Sequence, residues 1–393
     1  MIGFLVGQHT AQLDLDLGEV DRKSRLEHDG VLASQQIAQL ISNKFITSDS
    51  PLAEDQTQPA SLDLRLGRAA YRLRASFLTG REQCVKDRLA EFEMHRFDLT
   101  DAGAVLEKGC VYLVPLQESL ALPDYITAVA NAKSSTGRLD LLTRMITDYG
   151  VEFDRVPARY HGALFAEIYP RSFSVKVRPG MRLNQIRFYK GRSRHILYDV
   201  MRGPLHRNTP LLTVNPKLLD GMPVSVDLDP GRSFVGYRAK PHTGIIDLDK
   251  IGHYDPRDYW KKVHLEKDWI VLDPGTFYIL ASREAVCIPP EYVAEMAPYQ
   301  AMVGEFRVHY AGFFDPGFGH HAAGGQGARG VLEVRCHEAP FVLEHGQTVG
   351  RLVYERMSEV PERLYGSEMK SNYQGQGLKL SKHFKTVTGE EFK

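Results

Sequence analysis

The feature of this sequence that most constrains its fold is an internal repeat. The segment SLDLRLG, which begins at Ser61, is echoed by SVDLDPG, which begins at Ser225. GCVYLV begins at Gly109 and is echoed by GTFYIL, which begins at Gly275. The longest block, AEIYPRSFSVKVRPGMRLNQIRFY from Ala166, is echoed by LEVRCHEAPFVLEHGQTVGRLVYE from Leu332. The spacing between the paired blocks is nearly constant, which predicts two copies of one domain in tandem.

The composition and charge of the chain are those of a soluble globular protein. Its 393 residues suit two domains of ordinary size, and 43% hydrophobic residues are enough for packed cores. The formal net charge is zero, so no global field attracts nucleic acid or an anionic membrane. One local basic run is interpreted as the solvated end of a strand: Arg187, Lys190, Arg192 and Arg194.

Several features that the sequence lacks argue against whole classes of protein. No stretch approaches the roughly 18 apolar residues of a membrane span, and the N-terminus lacks the basic and apolar parts of a signal peptide. The four cysteines show no C-x-x-C spacing, which fits a reducing compartment and argues against a cysteine-rich metal site: Cys84, Cys110, Cys287 and Cys336. We therefore expect a cytoplasmic protein that binds neither nucleic acid nor membrane.

Strands with glycine and proline turns dominate the predicted secondary structure. In SLDLRLG, from Ser61, every second residue is leucine, which predicts a half-buried strand. Apolar residues also alternate on both sides of Pro179–Gly180, so the pattern predicts a hairpin there, with a bulge between Leu183 and Ile186 in the return strand. The second copy predicts an equivalent hairpin around its turn at His345–Gly346.

Helices are predicted to be few and short. Ser34 is expected to cap one helix with an apolar face, and Pro123 and Pro289 are each expected to open a helical segment, ITAVANA and YVAEMA. This pattern predicts an all-β fold with minor helices, made of two tandem β-barrel or jelly-roll domains. The predicted boundaries are an N-terminal extension over 1–30, a first repeat over 31–200, and a second repeat over 201–393 that ends in a closing flap.

The two copies differ most in a polar turn that follows the predicted helical segment. The first copy carries KSSTGR over Lys133–Arg138, where the second copy carries QAMVGE over Gln300–Glu305. Hydroxyls, free backbone N–H groups and arginine suit a polyphosphate, whereas a glutamate would repel it. KSSTGR is therefore a candidate phosphate-binding motif, and an exposed polar turn is the alternative explanation.

The second copy carries polar features that the first copy has lost. Asp315, in a D-P-G turn, is either a ligand of a sugar hydroxyl or a turn-forming aspartate. Glu333 stands within the apolar run VLEV, so it lies either on the solvent face of its strand or in a pocket. In a pocket its pKa would rise, and it would exchange protons near neutral pH. The tail from Tyr365, YGSEMKSNYQGQGLKLSK, is either a flap over the site or a disordered end.

In combination, these motifs resemble those of the dCTP deaminase branch of the deaminase/dUTPase superfamily of β-barrels. The resemblance covers roughly residues 31–385 and implies two dUTPase-like barrels. The phosphate motif of the family corresponds to the polar turn: Lys133, Ser134, Ser135, Thr136, Gly137 and Arg138. Its nucleoside hairpin and its V-L-E triplet correspond to residues of the second copy: Ala311, Asp315, Val331, Leu332 and Glu333.

The closing segment of the family corresponds to the tail of this chain. Tyr365, Tyr373 and Gln376 match its pattern. The lysine of the pattern is not matched, because Asn372 stands in its place and Lys370 lies two positions earlier. The resemblance implies that the matching residues bind the substrate, with Lys370 as the candidate for the lysine contact.

The distribution of these motifs between the copies implies a composite site. The family normally has one barrel per chain, assembled as a homotrimer in which neighbouring barrels share each site. Here the phosphate motif survives only in the first copy, whereas the hairpin, the V-L-E triplet and the flap survive only in the second. We therefore expect a homo-oligomer with one working type of site, built from both copies, and a dead reciprocal site around Glu167, the alternative catalytic glutamate. The sequence leaves open whether one chain or two supply the halves.

The resemblance implies hydrolytic deamination of dCTP to dUTP and ammonia in pyrimidine deoxynucleotide metabolism. Glu333 would activate water with the help of Ser134 and Arg138 and without catalytic zinc, since the P-C-x-x-C element of the zinc deaminases does not occur. Mg²⁺ would arrive bound to the triphosphate. The alternatives are a dUTPase or a bifunctional enzyme that continues to dUMP, and a non-catalytic nucleotide-binding regulator.

Overall fold

Strands dominate the computed structural model, which describes residues 29–191, 221–298, 306–309, 312–366 and 373–386. The predicted all-β class with minor helices is therefore confirmed. Several parts of the sequence that carry predictions lie outside the described residues: residues 1–28 of the predicted extension, the boundary at 200/201, the QAMVGE segment, Ala311 and Lys370.

The first copy contains short strands, three helices and one 3-10 turn among the described residues. The strands are β1 (Gly30–Val31), β2 (Ile46–Ser48), β3 (Thr57–Gln58), β4 (Ser61–Arg65), β5 (Ala69–Leu73), β6 (Glu93–Asp98), β7 (Ala104–Leu106), β8 (Val111–Ala121), β9 (Ile126–Ala132), β10 (Leu141–Thr147), β11 (Arg155–Val156), β12 (His161–Pro170), β13 (Val175–Val177) and β14 (Arg182–Lys190). The helices span Ser34–Ser42, Val85–Phe92 and Ser134–Gly137, and the 3-10 turn spans Glu54–Gln56.

The described part of the second copy has the same character. Its strands are β15 (Met222–Ser225), β16 (Gly236–Ala239), β17 (Ile246–Asp247), β18 (Trp260–Val263), β19 (Trp269–Leu272), β20 (Phe277–Val286), β21 (Tyr292–Pro298), β22 (Phe306–His309), β23 (Phe313–Phe314), β24 (Ala328–Cys336), β25 (Phe341–Glu344) and β26 (Thr348–Arg356). One helix spans Pro256–Tyr259, and a 3-10 turn spans His321–Ala323.

The two copies share one strand order. The first copy pairs β11-β9-β14-β4 in one sheet and β10-β12-β8-β5-β6 in another, and the second pairs β23-β21-β26-β15 and β22-β24-β20-β16-β18. β9 begins at Ile126 and β21 begins at Tyr292, which is the same spacing that separates Gly109 from Gly275 in the sequence repeat. The tandem duplication predicted from the sequence is therefore present in the topology.

The interiors of the two copies are continuous with each other. The hydrophobic cluster of the first copy also includes Ile246, Tyr259 and Phe384, which belong to the second half of the chain. β17 joins the small sheet of the first copy by pairing in parallel with β13, and Arg178 at the end of β13 is hydrogen-bonded to Asp247 at 2.9 Å. The shared hydrophobic core and the shared sheet fix the position of one copy against the other.

The helix predictions were only partly right. The helix Ser34–Ser42 buries Ile37 and Leu40 as expected, but Ala33 rather than Ser34 occupies its N-cap position. The segments ITAVANA and YVAEMA, after Pro123 and Pro289, are the strands β9 and β21 and not helices. Their alanines suit a helix, but alternate residues of β9 are buried, and both segments pair with strands on either side. Tertiary pairing has overridden the local preference.

The predicted hairpins have the right turns but the wrong partners. Gly180 and Gly346 adopt φ values of 79° and 76°, which glycine tolerates without strain. However, β13 pairs with β7 and β14 pairs with β4 and β9, and in the second copy β25 pairs with β19. The turn thus carries the chain from one sheet to another. The return strand is irregular as predicted, but its register with β4 shifts between Arg182 and Asn184 and not between Leu183 and Ile186.

β4 is buried on both faces rather than half-buried as predicted. All of its residues, Ser61–Arg65, are buried. Its charged side chains have partners inside the protein, because Arg65 is hydrogen-bonded to Glu118 at 2.8 Å and Asp63 pairs with Lys133. The alternating sequence pattern therefore marks two buried faces of different chemistry, and the Asp63 face leads to the candidate site.

Candidate functional site

A cavity of about 520 Å³ lies where the two copies meet within one chain. It is lined by predicted site residues from the first copy: Lys133, Ser134, Ser135, Thr136 and Arg138. It is also lined by predicted site residues from the second copy: Asp315, Val331, Glu333, Tyr365, Tyr373 and Gln376. Leu332 instead faces the hydrophobic core, and Gly137 is buried in the helical turn without lining the cavity. One chain therefore supplies both halves of this cavity.

The polar turn follows directly from β9 and reverses the chain above the cavity. The backbone N–H of Lys133 donates to Leu183 at 2.9 Å, and the helical turn Ser134–Gly137 begins at the next residue. The Lys133 ammonium group pairs with Asp63. Ser135 is tied to the tail of the chain, because the Ser381 hydroxyl donates to its carbonyl at 2.7 Å. The turn is thus held by both copies and is not a free surface loop.

Arg138 is the main link between the polar turn and the tail. Its side chain is buried, and its guanidinium donates to the Gln376 Oε1 at 2.9 Å and to the Lys379 carbonyl at 2.8 Å. The guanidinium also lies 3.8 Å from the ring centre of Tyr373, in a cation–π contact. A cation of the first copy therefore organises the closing segment of the second.

Glu333 lies in the cavity and not on the solvent face of its strand. It stands on β24, opposite Ile279 of β20 and His309 of β22, and is 5% exposed. Burial raises the pKa of the Glu333 carboxyl well above its usual value, while the charge of Arg138 acts to lower that pKa. The pocket alternative from the sequence is the correct one.

A buried ion pair fixes the segments that carry these two residues. Asp140, two residues after Arg138, pairs with Arg335, two residues after Glu333. The Ser172 hydroxyl donates to the same carboxylate at 2.6 Å. This pair links the two copies, and it anchors the segment that carries Arg138 to the strand that carries Glu333.

Asp315 is anchored by Arg187, an arginine that the sequence analysis assigns to a solvated strand end. Arg187 was expected at a solvated strand end, but it is completely buried and donates to the Asp315 carboxylate at 2.8 Å. It also donates to the Phe314 carbonyl at 3.0 Å, and its guanidinium lies 4.0 Å from the ring centre of Phe313. The surface that covers Arg187 comes from the other copy, which local periodicity does not reveal. Two members of the same basic run lie outside the described residues: Arg192 and Arg194.

The described part of the tail packs on the cavity. The Gly319 N–H donates to Gln374 at 3.0 Å, and the Gln376 side chain donates to the Arg329 carbonyl at 3.1 Å. Phe384 packs against Tyr259 with a ring separation of 5.5 Å. Over residues 373–386, the tail is therefore packed against the rest of the protein, and Tyr373, Gln376, Lys382 and His383 line the cavity.

Glu167, the alternative catalytic glutamate, does not line this cavity. It is almost completely buried on β12, and its carboxylate accepts a hydrogen bond from Arg144 Nε at 3.1 Å. The Arg144 guanidinium lies 3.7 Å from the ring centre of Phe153. The counterpart of Glu333 in the first copy is thus neutralised by a neighbouring arginine.

The sequence missed several polar residues that line the same cavity: Asp63, Arg182, Gln185, Lys382 and His383. Burial raises the pKa of Asp63 and lowers the pKa of His383 to about 4. Asp63 does not stand out in the sequence, because both copies carry this aspartate, as Asp63 and Asp227, and differences between the copies mark most of the candidate site residues. Lys382 belongs to the tail but to no motif, so no sequence signal singles it out.

The described residues show neither a metal-binding cluster nor a membrane-spanning helix. In that part of the chain, no group of three or more His, Cys, Asp or Glu residues is placed to hold a metal ion. His264 and Glu266 do have H-x-E spacing, but the His264 ring is hydrogen-bonded to the Ser233 carbonyl at 2.7 Å and is absent from the cavity lining. No described helix is long and apolar enough to cross a membrane.

Comparisons with known proteins agree with the architecture of two copies. The model of the 2'-deoxycytidine 5'-triphosphate deaminase (DCD) N-terminal domain matches residues 28–192, and the model of its C-terminal domain matches residues 199–384. A crystal structure of 2'-deoxycytidine 5'-triphosphate deaminase from Agrobacterium tumefaciens superposes with a TM-score of 0.80. It is 52% identical, over 84% of this chain and 99% of that one.

Two curated relatives each match about two fifths of the chain. The dCTP deaminase of Natronomonas pharaonis is 30% identical over 162 residues, which are 40% of this chain and 77% of that protein. The protein of Persephonella marina named "dCTP deaminase, dUMP-forming" is 32% identical over 165 residues, which are 41% of this chain and 83% of that protein. Together with the matches to both domain models and the solved structure, these similarities show that the chain belongs to the 2'-deoxycytidine 5'-triphosphate deaminase family.

Proposed function

We propose that this protein hydrolyses the 4-amino group of dCTP and releases dUTP and ammonia. The observation that carries the proposal is the single cavity in which the desolvated carboxyl of Glu333 and the polar turn at Lys133–Arg138 meet. The Glu333 carboxyl suits proton transfer, and the polar turn suits a polyphosphate. The carboxyl comes from the second copy and the turn from the first.

The lining suggests how the nucleotide would be oriented. The triphosphate, with Mg²⁺ bound to it, would lie against the hydroxyls and cations of the polar turn, including Lys133, Ser134 and Ser135. Asp315, held in place by Arg187, is suited to accept a hydrogen bond from the sugar hydroxyl. The cytosine would then point towards Glu333 and Val331.

The chemistry requires one water molecule and a group that moves its protons. In its ionised form, Glu333 would take a proton from water as the oxygen attacks C4 of the base. The carboxyl would then pass protons to N3 and to the leaving amine, so that the C4–N bond breaks and ammonia leaves. The charge of Arg138 favours the ionised form of Glu333. Ser134 lines the same cavity, and its hydroxyl would hold the water. Such a site activates water without catalytic zinc.

A second candidate is a bifunctional enzyme that continues from dUTP to dUMP and pyrophosphate. The observation in its favour is that relatives such as the Persephonella marina and Methanosphaera stadtmanae proteins are named "dCTP deaminase, dUMP-forming". A non-catalytic nucleotide-binding regulator is disfavoured by the buried carboxyl of Glu333, since binding alone does not require a desolvated acid.

Product analysis tests the proposal. The purified protein is incubated with dCTP and Mg²⁺ in the presence of a zinc chelator, and nucleotides and ammonia are measured. We expect dUTP and ammonia in equal amounts. Conversion to dUMP and pyrophosphate would favour the bifunctional candidate, whereas binding of dCTP without turnover would contradict the proposal.

The two homologous glutamates provide a matched pair of variants. Glu333→Gln keeps the shape of the side chain but removes its ability to take a proton, so we expect turnover to fall by about a thousandfold or more while dCTP still binds. Glu167→Gln, at the equivalent position of the first copy, is expected to retain most of the turnover. Steady-state rates and dCTP binding by calorimetry distinguish the two, and an inactive Glu167→Gln with an active Glu333→Gln would reverse the assignment.

A further inference from the structure

We propose that Lys382 is a phosphate-binding residue and that it makes the site prefer a nucleoside triphosphate over a monophosphate. This inference rests on the proposed function and deepens it. Lys382 lines the same cavity as Lys133, Arg182 and Asp63. Its charge interacts with those three side chains, of which Lys133 belongs to the phosphate motif and Asp63 pairs with Lys133.

The cations Lys133, Arg182 and Lys382, which all line the cavity, differ in whether a carboxylate pairs with them. Asp63 is engaged by Lys133, and Arg182 is hydrogen-bonded at 2.7 Å to the exposed Asp55. Among the ion pairs of the described residues, none includes Lys382, although the side chain is half-buried. Burial and the neighbouring cations Lys133 and Arg182 lower the pKa of Lys382. A polyphosphate beside these cations would relieve their mutual repulsion and supply charged acceptors.

The backbone on both sides of Lys382 is anchored. The preceding Ser381 donates to the carbonyl of Ser135 at 2.7 Å, and the carbonyl of Lys382 itself accepts from Gly252 at 2.9 Å. The following His383 is hydrogen-bonded to the Leu248 carbonyl at 3.2 Å. The lysine is therefore presented to the cavity from a fixed backbone and does not reach in from a free tail.

The same segment holds the arginine of the polar turn. Gln376 and Lys379, a few residues before Lys382, accept both hydrogen bonds of the Arg138 guanidinium. A contact between Lys382 and the distal phosphates would thus stabilise the segment that orders Arg138. Binding of the triphosphate end and assembly of the base end would be coupled through one stretch of chain.

The test compares ligands that differ only in their phosphates. Binding of dCTP and dCMP to the full chain is measured by calorimetry in a Glu333→Gln background, which prevents turnover. Lys382→Met is expected to weaken dCTP binding by roughly 10- to 100-fold, the usual loss for one charge-assisted hydrogen bond, and to change dCMP binding less than about threefold. Lys382→Arg is expected to restore most of the dCTP affinity. Lys385→Met, at an exposed position of the same segment, is the matched control and should change neither.

The other possible results of this experiment also decide whether Lys382 binds phosphate. Equal losses for dCTP and dCMP would mean that Lys382 only supports the fold of the segment, and unchanged dCTP binding would mean that it does not touch phosphate. If the protein with intact Lys382 binds neither nucleotide, the proposed function fails. Inorganic tripolyphosphate then tests Lys382 alone: weaker binding by Lys382→Met supports the phosphate contact, and equal binding overturns it.

Discussion

At the scale of single residues, environment and not identity separates the two homologous glutamates. Glu333 is desolvated in the cavity, and the charge of Arg138, from the other copy, favours its ionised form. Glu167 is equally buried but is hydrogen-bonded to Arg144 of its own copy. A carboxylate engaged by a dedicated arginine is a structural group, whereas one with a raised pKa in a cavity is suited to proton transfer.

The pH dependence of turnover should report the pairing of Glu333 with Arg138. Burial raises the pKa of Glu333, and the arginine opposes that rise, so Arg138→Ala should raise this pKa further. Because the proposed reaction needs the ionised carboxylate, activity is lost as pH falls through this pKa. The acid limb of the profile of kcat/KM against pH should therefore move to higher pH in Arg138→Ala. Arg144→Ala should leave the limb in place, and an unmoved limb in Arg138→Ala would contradict the assignment.

The buried pair of Arg187 and Asp315 should matter for stability as well as for the site. Arg187→Met leaves a carboxylate without its buried partner, and removal of one member of such a pair typically costs about 3–5 kcal/mol. Urea unfolding should show this loss, and the apparent KM for dCTP should rise. In the double variant with Asp315→Asn, the unpaired charge is gone, so part of the stability should return. Strictly additive losses would mean that the two side chains are not coupled.

At the scale of elements, the sequence predicted the turns better than the pairing. The turns at Gly180 and Gly346 follow from residues that are local in sequence, and both occur. The partners of β13 and β14 are set by packing of distant segments, which alternation of apolar residues does not encode. The same limit explains why β9 and β21 were mistaken for helices, since short alanine-containing segments fit either period.

The closing segment should detach when its aromatic anchor is removed. Phe384 is buried against Tyr259 and Trp260, with ring separations of 5.5 and 5.9 Å. Phe384→Ala should free the segment locally, so that Arg138 loses its partners at Gln376 and Lys379. We expect faster hydrogen exchange over residues 373–386 and a higher KM for dCTP, with little change elsewhere.

Thr386→Ala, at an exposed position of the same segment, is the control. Unchanged exchange in Phe384→Ala would show that the aromatic contacts do not hold the segment.

At the scale of the whole molecule, the residues that repeat were predictable and the residues that join the copies were not. Lys133–Arg138 and Asp315 were predictable because their counterparts in the other copy have changed, and Glu333 was predictable because it belongs to the V-L-E motif. The pair of Asp140 with Arg335 and the contacts of Arg187 exist only once the two copies are packed together. Both walls of the cavity come from one chain, which favours a site supplied by one chain over a site shared between two.

The most direct test of this account is complementation between two inactive chains. Chains with Arg138→Ala and chains with Glu333→Gln are produced together in one cell, purified and assayed for dCTP turnover. Because one chain supplies both walls of the cavity, every site retains one defect, and we predict turnover no higher than that of either variant alone. The positive control is the wild-type chain produced together with a chain that carries both substitutions, since the wild-type chain in such a mixture keeps an intact site. Turnover well above that of both variants would mean that separate chains share the site, and it would contradict the account.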